Sequence, residues 1–227
     1  MPRQMLDITL EKITTESHST VLRRSAGIPP IIIAILRAEP SIIKANRSWN
    51  KKKGVEKRTE KTELLDTTIA FLLDLAKNAT FADSKIHALN IMKFIFSDTI
   101  LREDITQFIP TAMMLSCDEF ESDNWSIRNS ALMCFTALIK RLLDTHHIQD
   151  QDLSKKRGFT FVDLWQKFPE LLTYFKGKLS VKSGIKGEHK ERQDMTVFSV
   201  MLMLSRLIPY SFAGQEYRQE FTDLKEF

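Results

Sequence analysis

Glycine and proline are scarce, at seven of each in 227 residues. That is about half their usual combined share, and it argues against sandwiches and barrels, whose many turns need both. Cysteine is scarcer still, with only Cys117 and Cys134. Two thiols inside apolar patterns exclude a disulfide scaffold and point to a reducing compartment. Long apolar runs are missing as well. The longest stretches, Ile28 to Leu36 and Val197 to Leu204, fall far short of the ~20 residues of a membrane span. Nothing after Met1 reads as a secretory signal, so a cytoplasmic protein without a membrane span is expected. Hydrophobic residues at 43% and charged residues at 27% suit a chain that buries a real core, and whole-chain disorder is excluded.

The remaining pattern is helical. Leu65, Ile69, Leu72 and Ala76 step by four, three and four, which lines one face of a helix. A second helix is expected from Asp83 or Ser84, either of which can cap it. It carries Ile86, Leu89, Met92, Ile95 and Phe96. A third is expected from about Arg102 to Met114 with a kink at Pro110. A fourth follows Asn124, with Ala131, Phe135, Leu138 and Leu142 on one stripe. Further on, Phe159 to Phe168 supplies aromatic packing, Pro169 opens a helix to Leu179, and Met195 to Leu207 is again helical. Sliding the sequence against itself by 41 residues sets Ile86 on Ile127, Met92 on Met133 and Phe94 on Phe135. A period near 40–47 residues is that of HEAT and armadillo repeats. The expected fold is therefore all-α, a single α-solenoid segment over residues 1–227. Flexible basic loops are expected near 44–61, 144–158 and 180–194, and a last short helix from Gly214.

The net charge of +4 names no partner by itself, but its distribution is uneven. Residues 44–61 hold eight cations against Glu56 and Glu60, a net +6, so the rest of the chain is slightly acidic. Lys51, Lys52, Lys53, Lys57 and Arg58 are candidate phosphate contacts, with Trp49 placed to stack on a base. The alternative is a solvated loop between helices. Arg23-Arg24-Ser25-Ala26-Gly27 precedes the apolar run. Paired arginines suit bidentate phosphate binding, small residues allow close approach, and a nearby helix N-terminus adds a favourable dipole. The alternative is two surface arginines before a capping Ser25, with Gly27 easing a turn into proline. At the start of the fourth helix, Arg128 and Asn129 are read as bonding to the neighbouring turn rather than to a partner.

Catalytic signatures are lacking. There is no glycine-rich phosphate loop and no C-x-x-C pair. His146 and His147 are adjacent rather than helically spaced, so neither a metal nor a cofactor is expected. Cys117 beside Asp118 and Glu119 is a poor nucleophile, and Cys134 is a small core residue. The acidic run Asp118, Glu119, Glu121 and Asp123 reads as a solvated turn ahead of a helix N-terminus.

Five segments resemble the THADA (thyroid adenoma-associated) family. They are RRSAGIPPIIIAIL at 23–36, KIHALNIMKFIFSDT at 85–99, NWSIRNSALMCFTALIKR at 124–141, KKRGFTFVDLWQKFPEL at 155–171 and VFSVMLMLSRLIP at 197–209. The resemblance implies an internal portion of a much longer helical-repeat scaffold. It implies a non-catalytic partner of an FtsJ-type tRNA 2′-O-methyltransferase, acting with tRNA on the ribose at position 32 of the anticodon loop. It also assigns the modification-linked element to Arg23, Arg24, Ser25, Ala26 and Gly27. The other reading is a HEAT-like protein-interaction scaffold without RNA binding.

Overall fold

The structure, a computed structural model, describes residues 2–15, 27–39, 63–144, 160–180 and 188–207. The described residues hold helices and turns with no strand: α1 (Pro2–Thr15), α2 (Ile28–Arg37), α3 (Glu63–Asn78), α4 (Ala82–Ser97), α5 (Ile109–Asp118), α6 (Trp125–Asp144), α7 (Phe161–Lys167), α8 (Pro169–Leu179) and α9 (Glu188–Leu204). The fold is all-α, as expected. The apolar stripes of α3 and α6 are buried as their spacing predicts, from Leu65 to Ala76 and from Ala131 to Leu142.

Helix boundaries follow local chemistry. Helix α4 starts at Ala82 from an extended Phe81 without a side-chain cap, so neither Asp83 nor Ser84 caps it. Ser84 is instead buried. Residues 101–108 form turns, and Pro110 sits in the first turn of α5. There its missing N–H costs nothing, so it opens a helix and does not kink one. A reciprocal cap starts α7: Thr160 Oγ1 accepts from the Asp163 amide at 3.1 Å while Asp163 Oδ2 accepts from the Thr160 amide at 2.8 Å. Helix α9 begins at Glu188, inside the stretch 180–194 expected to be a connector. The loop 44–61, residues 145–158 of the second loop and the tail from Gly214 lie outside the described residues.

Helix α4 lies against α1, α2, α3 and α6, and α5 lies against α3, α6 and α8. This neighbour-on-neighbour stacking is the architecture of helical repeats. Phe120 meets Phe135 edge to face, with centroids 5.4 Å apart, which ties the turn after α5 to α6. The buried side chains form one cluster from Leu6 to Leu207.

Helices α4 and α6 pack together and meet at their C-terminal ends. Buried Arg141, near the end of α6, donates from Nε to the Phe96 carbonyl and from Nη2 to the Asp98 carbonyl, both at 2.8 Å. It thereby satisfies acceptors that the end of α4 leaves open. Asp98, whose side chain is 3% exposed, accepts from the Ile100 and Leu101 amides through Oδ1. Its Oδ2 accepts from Arg37 at the end of α2. One junction therefore locks three helix ends. Its register also corrects the sequence self-match: Met92 is buried while Met133 is exposed, and Phe94 is exposed while Phe135 is buried.

Candidate RNA and partner interface

Helix α2 falls between the two basic elements in chain order. Its apolar run buries Ile32, Ile35 and Leu36 on one face. Gly27 is its N-cap, with φ −80° and ψ −19°, a conformation any residue adopts. No turn here requires glycine. What Gly27 leaves is room, because among the described residues a Cβ there meets nothing within 4 Å. Two of the first positions of α2 are Pro29 and Pro30, which lack N–H groups. The end of α2 therefore offers fewer donors to an anion than an ordinary helix N-terminus. Arg23, Arg24, Ser25 and Ala26 lie outside the described residues. The chain between them and Gly27 is short, and an extended chain spans at most about 3.6 Å per residue.

Lys51, Lys52, Lys53, Lys57 and Arg58 also lie outside the described residues, but the base of their segment is defined. Buried Glu39, just past the end of α2, accepts from the Leu64 amide at 3.1 Å. Arg3 pairs with Glu63 at 2.9 Å beside it. Both ends of segment 40–62 are thus held together at the C-terminal end of α2. Residues 23–26 enter at its other end. A helix of ten residues separates the two by about 15 Å.

A second surface was not anticipated. On α6 the exposed stripe runs through Trp125, Asn129, Leu132, Met133, Thr136 and Lys140, with Trp125 at 67% exposure. Phe94 is exposed on neighbouring α4, with Lys93 Nζ 5.6 Å from its ring centroid. Large apolar side chains with two cations, Lys140 and Lys93, among them suit a protein partner better than a phosphate backbone. The signal available in the sequence was the phase of α6 itself, since these residues fall opposite the Ala131–Phe135–Leu138–Leu142 stripe. Arg128 turns back, donating to the Ser122 carbonyl at 2.8 Å and the Asp123 carbonyl at 3.0 Å, the structural role read for it.

The polar groups between α5 and α8 tie helices together. Lys178 pairs with Asp118 at 3.0 Å and Glu121 at 2.9 Å, and Lys85 pairs with Glu119 at 2.9 Å. The acidic run is therefore ion-paired from α4 and α8, not simply solvated. Burial lowers the Lys178 pKa, but Glu121 and Asp118 outweigh it and leave the ammonium favoured. Tyr174 donates to Asp118, with the Met114 carbonyl 3.2 Å from the same hydroxyl, and burial with the Asp118 bond raises its pKa. Burial, reinforced by Asp118, raises the Cys117 thiol, and burial pushes Cys134 up to about 12. Both thiols are thus held neutral and unreactive. Among the described residues no group of His, Cys, Asp and Glu could hold a metal, and no helix is long and apolar enough to cross a membrane.

Paired helices stacked on their neighbours make this a helical-repeat protein. Two family models match it end to end: THADA/TRM732, DUF2428 over residues 1–126, and Trm732, C-terminal TPR repeats over residues 128–227. The chain belongs to the THADA/TRM732 family. It is 32% identical to the chicken (Gallus gallus) protein named tRNA (32-2'-O)-methyltransferase regulator THADA, over 94% of this chain and 11% of that one. The human (Homo sapiens) protein of the same name is 32% identical over 91% of this chain and 10% of its own. The fission-yeast (Schizosaccharomyces pombe) protein named tRNA (32-2'-O)-methyltransferase regulator trm732 is 29% identical over 95% and 14%. The chain thus spans about a tenth to a seventh of the length of these relatives. No solved structure matches it. The repeats of its second half carry the TPR description, within the helical-repeat class expected from the sequence.

Proposed function

We propose that this chain is part of a non-catalytic adaptor that partners an FtsJ-type methyltransferase in 2′-O-methylation of tRNA at the ribose of position 32, in the anticodon loop, and works in the cytoplasm. The observation that carries the reading is the family membership, with similarity to the named regulators running over nearly the whole chain. In this reading the helices are a rigid support with no reacting group of their own. Arg23 and Arg24 enter beside the open space at Gly27, and segment 44–61 leaves the far end of α2. Both then engage one RNA: the arginine forks hold phosphate oxygens, and the lysines add counterion release. The apolar stripe of α6 favours a protein partner on that face, so the methyltransferase is assigned there and the RNA to the α2 side.

The test replaces Arg23 and Arg24 with alanine and measures tRNA methylation with the purified methyltransferase, together with complex formation and tRNA retention at rising salt. Methylation and retention are expected to fall while the protein complex persists, and the wild-type retention is expected to weaken steeply with salt. Unchanged methylation and unchanged tRNA retention would sink the assigned role. They would leave the scaffold without RNA binding as the better reading.

A further inference from the structure

The last residue of α2, Arg37, keeps its side chain 44% exposed, yet both Nε and Nη2 donate to Asp98 Oδ2. The other carboxylate oxygen is taken by the Ile100 and Leu101 amides at 2.8 and 3.1 Å. Asp98 is therefore fixed by the turn that ends α4, and Arg37 docks on it from outside. The core of α2 does not depend on this pair. Ile32, Ile35 and Leu36 bury the helix, which lies against α1 and α4. Apolar burial is non-directional and leaves a helix some freedom to tilt. Two donors of a guanidinium fork on one buried carboxylate remove that freedom.

The angle of α2 matters at both of its ends. At the near end only Ala38 separates Arg37 from Glu39, which holds the Leu64 amide. The pair thus also fixes the base of segment 40–62. At the far end, about 15 Å away, Arg23 and Arg24 enter. A tilt of about 10° over that length displaces the far end by roughly 2.6 Å, and a misplacement of about 1 Å can slow a reaction about 100-fold. Asp98 also faces the other way, because its carbonyl accepts from Arg141 on α6 at 2.8 Å. The outer stripe of α6 is the face assigned to the methyltransferase.

We propose that Arg37, acting through Asp98, is a positioning residue for tRNA methylation: the pair sets the angle between the RNA-side helix α2 and the methyltransferase-side helix α6. The inference rests on the RNA and methyltransferase assignments made above. Arg37 itself touches neither partner in this scheme, and its work is done by where it holds the elements that do.

The test compares Arg37→Gln and Arg37→Lys with the wild-type chain and the purified methyltransferase. In Arg37→Gln, kcat for methylation is expected to fall about tenfold, while KM for tRNA, tRNA retention and complex formation stay within about twofold of wild type. Arg37→Lys keeps the charge without the fork and should recover part of the rate. Tyr174→Phe, a destabilising change between α5 and α8, should keep the wild-type rate. A wild-type kcat in Arg37→Gln overturns the proposal, as does an equal fall in Tyr174→Phe. A loss confined to KM and retention makes Arg37 a direct RNA contact, and a loss of complex formation makes it a protein contact; either overturns it too. A second readout needs no activity. Spin labels on Ile31→Cys and Thr136→Cys, both exposed, report the distance between α2 and α6, and the native thiols are buried. Their distance distribution should broaden in Arg37→Gln with the helical circular dichroism kept, and an unchanged distribution counts against the proposal. The protein with Arg23→Ala and Arg24→Ala, run alongside, reports separately on the RNA assignment.

Discussion

Arg141 on α6 donates from Nε to the Phe96 carbonyl on α4 at 2.8 Å, a buried bond between residues 45 positions apart. Two consecutive repeats are joined there by a charge at the end of a helix, where unpaired carbonyls are costly to bury. Burial pulls the Arg141 pKa down, with Asp144 opposing it, and the guanidinium answers by bonding two carbonyls at once. Arg141→Ala leaves those carbonyls without a partner. It is expected to destabilise the fold by about 2–4 kcal/mol, measured by chemical denaturation. Arg141→Lys should recover less than half of the loss, because an ammonium does not reproduce the fork.

His87 on α4 titrates against the fold. Burial lowers its pKa from 6.5, and Asp83 opposes the shift. The unfolded chain therefore binds a proton more readily than the folded one. The stability that His87 permits is complete above about pH 6.5 and is lost as pH falls through its lower folded value. Between pH 7 and pH 5 the denaturation midpoint should drop more steeply in the wild type than in His87→Gln. Equal slopes for the two proteins would count against it.

The stripes of α3 and α6 were legible because each helix buries one face, so residue spacing maps directly onto burial. Helix α4 hid its register for the opposite reason. Packed against four helices, it buries Ile86, Ala88, Leu89, Ile91, Met92, Ile95 and Phe96. Matching it to α6 by residue type then pairs methionine with methionine across different faces. Pro110 misled because a proline inside an apolar pattern reads as a break, whereas in a first turn it is pre-organised for the helix. The early start of α9 was invisible, since Glu188 to Asp194 are polar and carry no apolar stripe. Of the candidate site, residue type showed the two basic elements. Chain order sets them at opposite ends of one helix, but the return of segment 40–62 to the end of that helix depends on the Glu39–Leu64 bond, a pairing no local pattern encodes.

Tyr174 joins α8 to the end of α5 through Asp118 and the Met114 carbonyl. Its pKa is raised by burial and by the bond to Asp118, so the hydroxyl remains a donor throughout the neutral range. Tyr174→Phe keeps the ring beside Phe175 and removes only the hydroxyl. The expected loss is about 1 kcal/mol, read from equilibrium denaturation. Lys178→Met should add to it less than additively, because both side chains meet Asp118.

Gly27 separates a structural from a functional use of the same atom-free space. Its φ of −80° suits alanine, and among the described residues a Cβ there meets nothing within 4 Å. Gly27→Ala should therefore leave stability unchanged or raise it by about 0.4–1 kcal/mol through the unfolded chain. If the RNA lies against that opening, the added methyl group obstructs it. Methylation should then fall by about tenfold, equivalent to 1.4 kcal/mol, in a protein at least as stable as the wild type. Gly177→Ala supplies the control. That glycine lies within α8, also with nothing within 4 Å, and its replacement should stabilise the helix without changing methylation. Full activity in Gly27→Ala would mean that no partner approaches α2 at this point, and the small residues after Arg24 would then have no part in the contact.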